Sequence, residues 1–283
     1  IQSERASKSS TSNSTTSLPE PKMVEEYTTA RISMETTKAI AAQALALTVQ
    51  DWQMLGQAAD PMISDAALFD SDTGLDVAVE RISALLLVRL VALLQTNTTH
   101  DEYDTSTSGI CRRALIAEEP PWPFVTATNK KKLRLLVRNL LLGYSDVLPF
   151  HNIQHAAIVV VSCNKLLDLI LSDHNANLVG ERRPRTFGLR RDPLKLIALL
   201  FAALIHDAQH HGVKNAQLVL ENHRLALLYN DQSVQEKDSL HFAFAELLKE
   251  EYTALRCAIF QSNDESYRYF RATVVSAVLS TDL

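Results

Sequence analysis

The 283-residue chain has no uncharged apolar run of the roughly 18 residues that a membrane-spanning helix needs; the longest, Leu196 to Ile205, is about half that length. No signal peptide is expected within this piece. Cysteine is scarce: Cys111, Cys163 and Cys257 are odd in number, far apart and form no CxxC, which excludes a disulfide framework and a structural zinc knuckle and suits a reducing, cytoplasmic setting. Positive charge is not in excess. A net charge of -5 and a pI near 6.0 do not suit a protein that coats nucleic acid, which must neutralise phosphates. The two-residue alternation of strands is missing as well. Asn13 and Asn97 head Asn-x-Ser/Thr triplets, but nothing else suggests a secreted protein.

What is present is enough for a full core: 46% of residues are hydrophobic and 22% charged, consistent with one large domain and a tail. Residues 1–30 are rich in Ser and Thr, include Pro19 and Pro21, and lack the apolar side chains that would offset the entropy of ordering, so they are expected to be a disordered linker. Residues 31–80 form a helical lead-in with Ile40, Ala44 and Leu47 on one face. Val79, Ile82, Leu86, Leu90 and Leu93 make a second helical stripe, which leads into a domain spanning 81–283. A loop with Pro120, Pro121 and Pro123 precedes a helix expected from Lys130 to Leu142 and closed by Gly143. Residues 180–192 form a basic loop, expected to be a solvated connection. The chain opens on Ile1 and stops at Leu283 after an apolar helical run, so it is expected to be part of a longer protein.

Asp192-Pro193 is a helix cap followed by proline at the first helical position, launching Leu194 to Ile205. That segment is apolar on every side and must be enclosed. It ends in His206, Asp207 and His210, where the negative pole of the helix and its unpaired carbonyls favour a cation. Upstream, His151 and His155 are four residues apart, a spacing that puts both on one helix face. Imidazole and carboxylate together suit zinc, and a carboxylate that also holds water suits magnesium or manganese, so a mixed two-metal site is chemically reasonable. His100, His174, His223 and His241 are read as ordinary core residues.

The ordered segments GYSDVLPFHN, FHNIQHAA, FAALIHDAQHHGVKN, LALLYNDQSVQE and VLSTDL resemble the catalytic domain of class I cyclic nucleotide phosphodiesterases, part of the HD-type phosphohydrolases. The resemblance covers about residues 130–283, roughly the first two-thirds of such a domain. It implies a compact, all-α, multi-helix fold and hydrolysis of cAMP or cGMP to the 5'-monophosphate by two divalent metals, zinc and magnesium (or manganese), with a bridging hydroxide. It further implies His155, His206 and Asp207 as metal ligands, with Asp207 reaching both ions, and His151 as proton donor to the leaving 3'-oxygen. Glu236 would hold the proton donor, His210 the second metal's waters, and Thr281 and Asp282 similar outer positions. His151, Asn152, His155 and Asp207 would face the nucleotide. The setting implied is cytoplasmic, with membrane attachment or further domains in the parent chain left open.

The chain departs from the family pattern at Phe150, where a Tyr is usual, at Ile158 for Asp, at Lys237-Asp238-Ser239 for Asn-His-His, and at Gln209 for an acidic residue. The family's last Asp ligand, its purine-gripping Gln and its aromatic clamp correspond to positions after Leu283. Two other readings stay open: an HD-type hydrolase of another phosphoester, and a module that binds a nucleotide without turning it over.

Overall fold

The structure is a computed structural model that describes residues 75–96, 127–171, 186 and 188–282. The Ser/Thr-rich tail, the Ile40 stripe, the Pro120–Pro123 loop, His100, His174 and both Asn-x-Ser/Thr triplets lie outside the described residues. Those residues form α1 (Leu75–Thr96), α2 (Ala127–Leu141), α3 (Ile153–Leu171), α4 (Pro193–Ile205), α5 (Asn215–Leu220), α6 (Arg224–Tyr229), α7 (Val234–Leu247), α8 (Thr253–Phe260) and α9 (Asp264–Leu279), and no strand. Among the described residues this is the all-α architecture expected from the sequence.

Local chemistry sets where α4 begins. The Asp192 side chain accepts the Lys195 N–H at 3.0 Å, satisfying one of the unpaired donors of the first turn, and Pro193 needs no donor there. None of its side chains is fully exposed, and Leu196, Leu200, Leu204 and Ile205 are completely buried, because α1, α3 and α9 pack around it, with α2 and α7 behind. Phe201 adds an aromatic cluster, its ring 5.4 Å from Phe270 and 6.2 Å from Phe244. The α1 stripe Val79, Ile82, Leu86, Leu90 and Leu93 is buried as its spacing predicts.

The same helix α1 holds what the spacing does not show: Arg89, 0% exposed. Its guanidinium bonds Asn164 Oδ1 and Asp168 Oδ1, both at 2.7 Å, tying α1 to α3 through a charge pair that needs such partners to be tolerated inside.

Packing corrects two expectations, and the composition of α3 adds an observation to the sequence reading. α2 runs Ala127–Leu141, and Gly143, which follows it, is not in the left-handed conformation; a Cβ there would lie 2.5 Å from Phe242 Cε1, so close approach is the reason for glycine. α3, with 19 residues, is by length and composition apolar enough to cross a membrane, which a search for uncharged runs misses because it contains Lys165 and Asp168; here it packs on α4 and α1. Neither His223 nor His241 is a core residue: His223 caps α6, its Nδ1 accepting the Leu225 N–H, and His241 is exposed.

Since α4 has neighbours on all sides, a cavity in it cannot collapse easily. Leu200→Ala is expected to lower unfolding free energy by about 2–5 kcal/mol, read from the urea midpoint.

Candidate metal centre

α3 and α4 bring the site together end to side. His206 is the C-cap of α4 and Asp207 follows it, so the enclosed helix delivers both to a fixed place. α3 starts at Ile153, so His151 and Asn152 precede it and do not share a helix face with His155 as their spacing suggested. The cause is Asn152, whose Oδ1 accepts the His155 N–H at 3.0 Å while its Nδ2 donates to Leu148 O at 3.2 Å. It caps the helix and turns the chain, so that His151 approaches Asp207 from the loop side.

One oxygen is the meeting point. Asp207 Oδ2 lies 2.8 Å from His151 Nδ1 and 3.2 Å from both His155 Nε2 and His206 Nε2. The two Nε2 atoms are also 3.2 Å apart, so His155, His206 and Asp207 form a nearly equilateral triangle of donors. A tetrahedral first-row ion with bonds of about 2.0–2.1 Å separates its donors by about 3.3–3.4 Å, so this set fits a divalent metal with one open side. His206 Nδ1 donates to Ala203 O at 3.0 Å, which fixes the tautomer and frees Nε2 to bind.

The second group, His151, Asp207 and His210, is different chemically. His151 Nδ1 must donate to the carboxylate, and the His210 ring stacks on His151 with centroids 3.6 Å apart and planes at 18°. His210 Nδ1 accepts the Gly212 N–H at 2.9 Å, so in the neutral ring Nε2 carries the proton. His210 is thereby set up to donate to a water or a ligand oxygen, and not to ligate.

Charge follows this arrangement. Burial raises the Asp207 carboxyl pKa, but hydrogen bonding to His206 and His151 outweighs it and holds the group well below the usual carboxylate range. His206 is pulled down by burial, yet Asp207 lifts it above the ordinary imidazole value. His155 is lowered, first by burial and then by His206. Burial, with repulsion from His151, pushes His210 down to about 4.

One supporting residue, Tyr144, escapes sequence reasoning, and the two departures Gln209 and Phe150 take supporting places. Tyr144, buried after α2, donates its hydroxyl to Leu204 O at 2.8 Å and accepts the Asp207 N–H at 3.4 Å; burial and the Asp207 charge raise its pKa far above the ordinary phenol. Gln209, φ 66, is anchored by its N–H on Gly143 O at 2.8 Å. Phe150, 61% exposed, covers the outer side of the site, its ring 4.4 Å from His155 and 5.1 Å from His151. Tyr144 lies in the GYSDVLPFHN segment, but no local pattern reveals its partner 60 residues on.

The remaining expected residues surround this centre without joining it. Glu236 Oε2 accepts from Asn215 Nδ2 at 2.8 Å, where the resemblance put it on the proton donor. Asp282 accepts from the same Asn215 and from Ser233. Thr281 donates to Val278 O at 2.7 Å, closing α9. Of the basic loop, Arg190 reaches the end of α3, its Nη2 bonding Leu171 O at 2.9 Å, and residues 181–185 lie outside the described residues.

The family model for 3'5'-cyclic nucleotide phosphodiesterases matches residues 150–283, from the Phe before His151 to the chain's last residue. Over these residues, just under half of the chain, the sequence is similar to the cyclic nucleotide phosphodiesterase family. The chain is 33% identical over 147 residues to 3',5'-cyclic-AMP phosphodiesterase 4 of Dictyostelium discoideum, covering 52% of this chain and 12% of that protein. It is 39% identical over 136 residues to 3',5'-cyclic-AMP phosphodiesterase, isoform F, of Drosophila melanogaster, covering 48% and 18%. The chain therefore spans less than a fifth of these curated relatives. The phosphodiesterase domain of the RhoPDE fusion protein from the choanoflagellate Salpingoeca rosetta superposes with a TM-score of 0.50 at 24% identity, over 80% of this chain and 55% of that one, which shows the fold.

In the metal-free protein the depressed His210 gives a signed pH dependence. A neutral His held near 4 in the folded chain and near 6.5 when unfolded contributes stability that is present above about pH 6.5 and is lost as pH falls toward 4. The urea midpoint is expected to fall between pH 7 and 5, and to fall less in His210→Gln.

Proposed function

We propose that the phosphodiesterase segment supplies the site that hydrolyses 3',5'-cyclic nucleotides to 5'-monophosphates, with cAMP the first substrate to test because the named relatives are cyclic-AMP phosphodiesterases. The observation that carries this reading is the carboxylate of Asp207, shared by a three-donor metal set and by His151. In the overall reaction a water oxygen bonds to phosphorus, the P–O3' bond breaks, and O3' takes up a proton.

His155, His206 and Asp207 would hold zinc, the ion that suits two imidazoles and a carboxylate, and Asp207 would also face magnesium or manganese. When bound, the metals supply Lewis acidity at the phosphoryl oxygens and lower the pKa of water. The chain's own groups do the rest. Asp207 fixes His151 through Nδ1, leaving Nε2 as the atom that carries a proton to O3'. His210, through Nε2–H, orients an oxygen at the same place, and stacking keeps both rings in register. Phe150 shields the His155 and His151 edges from bulk water but offers no hydroxyl to a phosphate. The same segment would serve a cytoplasmic signalling protein, and cGMP is the competing substrate.

A second reading, a module that binds nucleotide without turnover, is favoured by Phe150 and by the engagement of Glu236 with Asn215.

With zinc and magnesium supplied, the chain is expected to hydrolyse cAMP, His151→Ala to lose about 10²–10⁴-fold in kcat while retaining metal, and Asp207→Asn to lose both turnover and tightly held zinc. Phosphate release and metal analysis after dialysis check this. Zinc retention and nucleotide binding without turnover in the wild-type chain would select the binding module, and full activity in Asp207→Asn would refute both.

A further inference from the structure

The loop that follows the metal ligands is shaped by two left-handed residues, Gln209 at φ 66 and Gly212 at φ 76, the second so close to Leu148 that a Cβ would lie 2.5 Å from its Cδ2. A non-glycine residue in that region is held there by its surroundings. Gln209 has its anchor on Gly143 O. The far side of the loop is held by one side chain of α7, Gln235, which is 4% exposed.

All of the Gln235 carboxamide is in use. Oε1 accepts the His211 N–H at 2.9 Å, and Nε2 donates to Val213 O at 2.8 Å and to Asn215 Oδ1 at 3.3 Å. The Gln235 backbone N–H reaches the same Asn215 oxygen at 3.1 Å, and Asn215 Nδ2 passes the connection on to Glu236 and Asp282. Two amides thus bind the backbone on either side of Gly212 to two carboxylates, with every N–H of both amides matched to an acceptor. His210 precedes the first anchored residue, and it is the ring stacked on His151.

We propose that Gln235 is a positioning residue: by holding His211 N–H and Val213 O it keeps His210 stacked on His151, and so keeps His151 Nε2 aimed. This rests on the phosphodiesterase reading for its link to rate, but not for its link to geometry. Gln235 touches no reacting atom and acts through the loop. Without its amide, the loop groups His211 N–H and Val213 O lose their partner on α7, the strained turn relaxes, and the His210 ring slides. A proton donor displaced by an ångström loses much of its effect.

The test uses Gln235→Met in the full chain, of similar length and with no amide. Thermal unfolding establishes that it folds, the shifts of the His151 and His210 ring protons in metal-free protein report stacking, and kcat and KM for cAMP report chemistry. Expected are cooperative unfolding, loss of the mutual ring-current shifts, and kcat lower by about 10- to 100-fold with KM unchanged. Retained ring shifts, or a loss carried by KM with kcat intact, overturn the proposal. If Gln235→Met does not fold, Gln235→Glu, which keeps the acceptor for His211 N–H and loses the donation to Val213 O, is read the same way, with the same two outcomes. If the wild-type chain hydrolyses no cyclic nucleotide, the functional reading fails, and the ring shifts in the variants alone decide the role of Gln235.

Discussion

Three imidazole nitrogens surround a single oxygen, Asp207 Oδ2, at 2.8, 3.2 and 3.2 Å, and most of the fold can be understood as holding that crowd in place. A carboxylate at the edge of a core loses hydration, and only close donors or a metal restore it. Those donors come from two segments separated by 50 residues of chain, so their agreement to within a few tenths of an ångström needs a rigid frame. α4 is that frame. It is apolar on all sides because it is surrounded on all sides, and this leaves the His206-Asp207 pair no freedom to retreat into solvent.

Backbone hydrogen bonds then divide labour among residues of one type. The Ala203 carbonyl takes the Nδ1 proton of His206 and frees its Nε2 as a metal donor, while the Gly212 N–H occupies Nδ1 of His210 and leaves its proton on Nε2. Two histidines four residues apart are made into a ligand and a hydrogen-bond donor by which main-chain group faces each ring. Gly212 is glycine because that N–H must be presented from a left-handed turn pressed against Leu148.

The family match begins at Phe150, yet the core under the site depends on what lies before it. α1 and α2 close over α4, Tyr144 secures its last turn, and Arg89 is neutralised by Asn164 and Asp168 of the helix that carries His155. The fold likeness to a solved phosphodiesterase domain extends over 80% of the chain, well beyond residues 150–283. The departure Phe150 falls on the rim of the site. Phe150 keeps the ring that covers His155 and gives up a hydroxyl.

The sequence by itself determined the helical class, the capped and enclosed α4, the buried stripe of α1 and the set of His and Asp side chains that meet at Asp207. These follow from apolar spacing and from local capping chemistry, which act within a few turns of chain. Tertiary structure alone decided that Gly143 makes room for Phe242 and that Glu236 turns to Asn215. It also placed Arg89 inside and assigned Gln235 to the loop at His211. Each of these depends on a polar or steric partner from 20 to 100 residues away. Periodicity records which face is dry, whereas the satisfaction of a buried polar atom depends on what the other helices bring to it.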